Sequence, residues 1–481
     1  MSKNKIKFNN ISIDEDKVNP FCYEKFEDKF LITNDFGYYY FLKTEDFKKF
    51  IKGELDEDSE LYSELREKGF IKDLSKLDKL NQRYVKKKSF LKRGPSLHIV
   101  EVTLRCNYNC IYCQASSESM DKEELDMDVE TARKVVDRAF ETTSDSITIE
   151  FQGGEPLVNW EVVKFIVEYA RGKEKNYNKD LRFALVSNFS LMDQEKFDFF
   201  IKNGVNLCTS LDGPEELNNK NRPYSKGNSY KEAVKWIKKY RKEKEKNKNM
   251  GNIGSLVTVS RYSLDKPKEI IEEYRSLGFQ DIHLRPLSYL GHSGGENRKK
   301  IGYSTEEFMD FWKEAMEYIL KLNKEGEYFS ERGARIMLTK ILTDRDPGFT
   351  DLSSPCGAVI GQVVYGYNGD LYTCDEGRMI DEDVFKLGSI ENTSYEEMIN
   401  SDTCKTMINA STLENQSCDM CVFKPYCGVC PVKNYALQGT LFPQMPNTDW
   451  CKLKKGQLSY LFEKLQDNKN KEIFKNWVTN N

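Results

Sequence analysis

Between residues 96 and 322, apolar β-branched segments alternate with amphipathic ones, and this alternation restricts the fold more than any other feature of the chain. LHIVEVTLR (97–105), SITIEFQGG (146–154), LRFALVSN (181–188), NLCTSLDG (206–213), SLVTVS (255–260) and DIHLRPL (281–287) read as strands. The segments 129–141, 160–172, 193–204, 230–242, 266–278 and 305–322 carry apolar residues at helical spacing. Strands that alternate with helices make a parallel sheet covered by those helices. Six such units predict an α/β fold, a partial (β/α)6 TIM-like barrel short of the usual eight. A doubly wound open sheet is the competing topology. In a barrel the chemistry sits on the loops after the strand C-termini. The cysteines of TLRCNYNCIYCQAS (103–116), then QGGEP, SNFS and SLDGP, follow four successive strands, so all four loops should face one pocket.

The remaining chain divides around that unit. Residues 1–75 read as a small α+β module. Its strands lie in FCYEKFEDKFLITNDFGYYYFL, with a turn at Asn34-Asp35, followed by helices carrying Phe47, Phe50 and Ile51, then Leu61 and Leu65. Residues 76–95 are polar and basic and read as a linker, partly helical. The barrel takes 96–330. Residues 331–465 are cysteine-dense and turn-rich, a composition stapled by metal more readily than by an apolar core, and 466–481 read as a tail. MSKNKIKFNN lacks the apolar region of a secretory signal. No window approaches the ~20 apolar residues that span a bilayer. The net charge of −4 carries no expectation of nucleic-acid binding. The expectation is a cytoplasmic protein with neither membrane nor nucleic acid as partner.

In a reducing compartment, 13 clustered cysteines point to metal binding or catalysis more than to disulfides. With only His98, His283 and His292 available, ligation by cysteine alone is the economical reading. Cys106, Cys110 and Cys113 form C-x3-C-x2-C. A four-iron cluster normally takes four thiolates, so three leave one iron open to a small molecule. A zinc site that borrows a distant fourth ligand is the plainer alternative. It lacks the paired C-x2-C spacing of zinc ribbons.

C-x3-C-x2-C with Tyr112 before the last cysteine, followed by GGEP, resembles the radical S-adenosylmethionine (SAM) enzymes over about 96–300. The resemblance implies a [4Fe–4S] cluster on Cys106, Cys110 and Cys113, whose open iron chelates the amino and carboxylate groups of SAM. One electron then cleaves the sulfonium and yields a 5′-deoxyadenosyl radical that abstracts hydrogen from an unactivated C–H bond. It further implies that Gly153, Gly154 and Glu155 meet the methionine amino group. Ser187 and Asn188 would meet the ribose, and Ser210 the carboxylate. The second carboxylate partner is left between Arg222 and Lys231. Arg285, ending the sixth strand, is a further pocket candidate, with an ordinary salt bridge as its alternative.

Cys356, Gly369-x4-Cys374, C-x2-C-x5-C-x2-C at Cys418, Cys421, Cys427 and Cys430, and a lone Cys451 resemble the SPASM domain, which carries two auxiliary [4Fe–4S] clusters. The last pair is spaced x2 where x3 is usual, and an early cysteine of some members is absent. By resemblance Cys418, Cys421, Cys427 and Cys451 hold the outer cluster. Cys356, Cys374 and Cys430 hold the inner one, whose remaining position is open or filled by Cys404 or a carboxylate. Two zinc sites are the plain alternative. Asp375 stands where sulfatase-maturating relatives have a base that acts on the substrate, and holding the backbone around the cluster is its alternative role. Cys22, Cys208 and Cys404 read as ordinary thiols.

The N-terminal module resembles the precursor-recognition elements of ribosomal-peptide maturases, and the whole chain resembles the B-type maturase of the His-Xaa-Ser peptide system. This implies a ribosomally synthesised precursor peptide as substrate and an external one-electron reductant of flavodoxin or ferredoxin type. It also admits a second maturase as a partner. A sulfatase-type maturase that forms formylglycine is the alternative. A non-catalytic iron–sulfur electron-transfer protein is the alternative of another class, and it leaves GGEP and SLDGP without a purpose.

Overall fold

The computed structural model describes residues 13–291, 295–380 and 382–479. The N-terminal stretch read as lacking a signal, His292 and the last two residues of the tail lie outside the described residues. The chain opens on an antiparallel sheet of β1 (Cys22–Phe26), β2 (Lys29–Thr33) and β3 (Tyr39–Lys43), in that order, backed by helices Thr44–Ile51 and Glu60–Glu67. Its own core is aromatic: Phe30 stacks on Phe47 at 4.2 Å, and Phe50 and Phe70 close it. The polar stretch that follows is helical over Leu77–Lys87.

The central sheet contains β4 (Leu97–Thr103), β5 (Ser146–Gly153), β6 (Asp180–Val186), β7 (Val205–Ser210) and β8 (Gly254–Thr258), all parallel. The sixth strand is split. β9 (Asp281–Ile282) pairs with β11 (Ser330–Glu331), while β10 (Leu284–Arg285) continues the main sheet beside β8. From β4 to β8 each strand lies beside its predecessor in sequence. There is no reversal of strand order, so the partial barrel forms and the doubly wound alternative does not. Alternation follows from two unlike faces. Ile147, Ile149 and Phe151 of β5 are buried against the helices, while Thr148, Glu150 and Gln152 face the other way and are only partly covered.

The sheet does not stop at β4. Its outer side is extended by β12 (Gln362–Tyr365), parallel to β4, and then by antiparallel β13 (Asp370–Tyr372) and β14 (Lys386–Ser389). The cysteine-rich segment is therefore joined to the barrel through backbone hydrogen bonds. The stretch expected as a tail contains a helix, Asn468–Thr479. It buries Phe474, Trp477 and Val478 in the main core, and Trp477 donates to Asn323 at 3.2 Å.

Candidate active site

The first cysteine loop hangs on the end of β4 and is stitched down by its backbone. Cys106 N donates to Glu118 O at 2.9 Å, Asn109 N to Pro223 O and Ile111 N to Asn221 O, both at 3.0 Å. Burial pushes the Cys106 thiol well above its usual range, with Glu155 and Cys110 adding to the effect. Burial likewise pushes Cys110 up to about 12, against the pull of Arg222. Left alone, Cys106 and Cys110 stay neutral thiols. Thiolates become stable there only beside added positive charge, which a bound metal cluster supplies. Three thiols on one loop, one flanked by a guanidinium, therefore fit a cluster with one iron free.

The glycines of QGGEP are required by space. A Cβ on Gly153 (φ +128°) would stand 2.1 Å from Thr103 O, and one on Gly154 2.2 Å from Arg105 O. The turn thus presses against the strand that leads into the cysteine loop. Glu155 is buried, and its carboxylate is fully engaged. It accepts from Ser187 Oγ at 2.7 Å, Asn188 N at 2.7 Å and Leu157 N at 3.1 Å. Burial outweighs these bonds and raises its pKa to about 7. Its side chain thus ties the β5 turn to the β6 turn. Asn188 donates to Asn107 Oδ1 at 3.0 Å and so reaches the cysteine loop. Phe189, buried at φ 63°, is held in that left-handed turn by its own N–H, which donates to Ser187 Oγ at 3.0 Å, and by Ser190 N, which donates to Asn188 Oδ1 at 2.9 Å. Ser210, half-buried, ends β7.

The two candidates for the second carboxylate partner separate. Lys231 lies on the first turn of helix Ser229–Lys246, 69% exposed, and pairs with Glu215 at 3.5 Å. The structure turns it to solvent and away from the loop, a correction to its proposed place in the pocket. Arg222 is buried beside the loop, with Nη1 3.9 Å from Cys110 Sγ and Nε 3.1 Å from Asp212 Oδ2. The reading of SLDGP singled out Ser210 and passed over Asp212, which is fully buried.

The second cysteine region falls into two groups. Cys356, Cys374 and Cys430 share an apolar cluster with Leu290, Met379 and Phe385. Cys418, Cys427 and Cys451 pack around Leu413, Val429 and Met445, with Cys421 beside Cys418. Cys404 packs in the main core, and none of the other cysteines shifts its thiol. Glu376 stands against the first group, with Lys433 and Asp351 nearby. Among the described residues, no three Cys, His, Asp or Glu side chains meet as they would on a single ion. Cys22 of β1, read as an ordinary thiol, lies 3.1 Å from Asp419 O, between Cys418 and Cys421.

Between the two cysteine regions runs a buried charge network. Arg378 bridges Glu101 of β4 at 2.5 Å and Asp375 at 2.9 Å. Burial raises the Glu101 carboxyl above its usual range although Arg378 pulls it down. Glu150 of β5, raised by burial, senses both Asp375 and Arg285. Asp375 is therefore held by an arginine on the side of the sheet that Glu150 and Gln152 line. Periodicity could not reveal this network, because Glu101, Glu150 and the Asp375–Arg378 pair lie far apart in sequence.

A parallel partial barrel with a three-cysteine loop at its mouth, joined to a domain with two further cysteine groups, defines a radical SAM enzyme with a SPASM domain. Residues 100–272 match the Radical SAM superfamily, and residues 356–422 match the SPASM iron–sulfur cluster-binding domain. The chain therefore carries a radical SAM domain and a SPASM domain, which indicate an enzyme and imply [4Fe–4S] clusters and SAM as cofactors. An uncharacterized protein of Methanocaldococcus jannaschii is 35% identical over 129 residues, 27% of this chain and 42% of that protein. A cysteine-type anaerobic sulfatase-maturating enzyme of Clostridium novyi is 25% identical over 346 residues, 69% of this chain and 86% of that one. Among solved structures, native anSMEcpe with bound AdoMet has a TM-score of 0.65 at 20% identity, covering 78% of this chain and all of that one. Streptococcus suis SuiB bound to precursor peptide SuiA has a TM-score of 0.53 at 12% identity, covering 91% and 99%. Among the described residues, no helix is long and apolar enough to cross a membrane.

Proposed function

We propose that the chain is a peptide maturase that uses a 5′-deoxyadenosyl radical to take hydrogen from a residue of a ribosomally synthesised precursor, leading to a crosslink or another oxidative change. The observation that carries this reading is the N-terminal module. β1 and β3 are the outer strands of a three-stranded sheet, each paired on one side only among the described residues. Such an edge binds an extended peptide as an added strand, with main-chain bonds supplying affinity and alternate side chains specificity. The sheet sits against the cysteine-rich domain: Thr33 Oγ1 donates to Val422 O at 2.7 Å, and Phe26 packs on Phe423. SuiB, crystallised with its precursor peptide, aligns with more of this chain than the sulfatase-maturase structure does, which supports the same reading.

Within it, SAM bound at the Cys106–Cys110–Cys113 cluster supplies the radical. Gly153 and Gly154 let the backbone approach the cofactor, Ser210 and Asn188 orient it, and Asp375, held by Arg378, takes the proton lost from the substrate. The auxiliary cysteines would hold clusters able to accept the remaining electron, and a flavodoxin- or ferredoxin-type protein would supply electrons from outside. The test is co-expression with small open reading frames from the same genomic neighbourhood, followed by mass spectrometry of the peptides. A loss of two hydrogens that requires Cys110 supports the reading. Conversion of a sulfatase peptide to formylglycine, with every neighbouring peptide unchanged, replaces it with the sulfatase-type alternative.

A further inference from the structure

A buried ion pair lies against one sulfur of the first cysteine loop. Asp212, fully buried after β7, accepts from Arg222 Nε at 3.1 Å and Nη2 at 3.3 Å, from Thr258 N at 3.1 Å, and from the Tyr112 hydroxyl. Its own N–H donates to Asn218 Oδ1 at 3.0 Å. Arg222 is thus held through two of its nitrogens. The third, Nη1, is 3.9 Å from Cys110 Sγ, and the guanidinium lies over the Tyr112 ring at 5.1 Å. The residues flanking Arg222, Asn221 and Pro223, accept the backbone bonds that anchor Ile111 and Asn109. The arginine and the cysteine loop therefore move as one piece.

Both partners are almost free of solvent, at 9% and 0% side-chain exposure. A buried pair of this kind is weak evidence for stability, since desolvation offsets most of the attraction. Its placement gives it another use. Reducing a four-iron cluster by one electron adds a negative charge, and hydrogen bonds to the sulfurs together with nearby charges set how readily that happens. A guanidinium facing a ligating sulfur favours the reduced form, and a carboxylate behind it limits that effect. Away from water, both act with little screening.

We propose that the Asp212–Arg222 pair sets the reduction potential of the cluster held by Cys106, Cys110 and Cys113, with Arg222 raising the potential through Cys110 and Asp212 restraining it. This rests on the assignment of that cluster and goes beyond the proposed substrate. It gives Arg222 a role other than binding the SAM carboxylate, and gives a role to Asp212, which the reading of the motif had not used.

The experiment is an EPR-monitored redox titration of the reconstituted full-length protein without SAM. The relevant signal is the one that changes when SAM is added to a parallel sample. Arg222→Met should move the midpoint negative, Arg222→Lys less far in the same direction, and Asp212→Asn positive. Opposite signs from two adjacent residues would not arise from a loop that is merely loosened. SAM-free midpoints that stay at the wild-type value, with weakened SAM binding in Arg222→Met, would overturn the proposal in favour of a carboxylate contact. Shifts of the same sign in all variants would overturn it in favour of a purely structural clamp. If Arg222→Met fails to assemble a cluster, the opposite displacements of Arg222→Lys and Asp212→Asn still decide it. A wild-type protein with no SAM-responsive signal would remove the cluster assignment itself and the proposal with it.

Discussion

Glu155 shows how much of this site is held together by single side chains. Three donors favour its carboxylate, burial opposes it, and burial wins, raising the pKa to about 7. A carboxyl raised on folding favours the folded state most below its unfolded value near 4.5, and that contribution is lost as the pH rises through about 7. The cluster-free protein should therefore lose urea resistance between pH 4.5 and 7, and Glu155→Gln should flatten that slope. The same substitution turns an amide N–H toward the Asn188 N–H, leaving a buried donor unmet at a cost of about 1–3 kcal/mol. Arg378→Met should be worse, because it strands Glu101 and Asp375 in the interior. About 3–5 kcal/mol is expected, read as an earlier unfolding midpoint. The cysteines and the GGEP glycines were legible in the sequence because their spacing is itself the signal. Asp212 was not, because an aspartate beside Gly-Pro is ordinarily a turn residue. Lys231 misled because spacing along a chain does not say which face of a helix a side chain occupies.

At the scale of elements, the barrel was legible almost strand by strand. β4 through β8 and their helices carry clean periodicity, and the structure places each within a few residues of its expected span. The cysteine-rich region was not. β12 is a four-residue run without alternation, and only its pairing with β4 makes it a strand. Helix Asn468–Thr479 carries Phe474, Trp477 and Val478 at i, i+3 and i+4, but within a short stretch rich in lysine and asparagine. Its packing predicts that Trp477→Ala costs about 3–5 kcal/mol, read by thermal unfolding. The turn after β5 is equally constrained. Gly153→Ala forces a Cβ onto Thr103 O and should abolish cluster incorporation, seen as lost iron and lost visible absorbance, even where the protein remains folded.

Across the whole molecule, three units share packed surfaces. Tyr39 of the N-terminal sheet meets Phe462 of the helix Asp449–Lys464 at 5.3 Å, Lys424 pairs with Asp35 at 2.8 Å, and Cys22 touches the loop between Cys418 and Cys421. The N-terminal module is therefore docked on the cysteine-rich domain and does not hang on a linker. Phe462→Ala should loosen that docking. Faster hydrogen exchange in residues 22–43 with unchanged exchange in β5 and β6 is the expected signature. None of this docking was visible in the sequence, because it depends on aromatic side chains that lie hundreds of residues apart.

On this proposal, the three cysteines at the barrel mouth hold a cluster that cleaves SAM. The most direct test is anaerobic incubation of the reconstituted chain with SAM and a strong one-electron reductant, with 5′-deoxyadenosine and methionine quantified by chromatography. Both should form together, and both should vanish in Cys110→Ala, which should lose about four irons while the other cysteine groups keep theirs. A fully iron-loaded wild-type protein that forms no 5′-deoxyadenosine would contradict it.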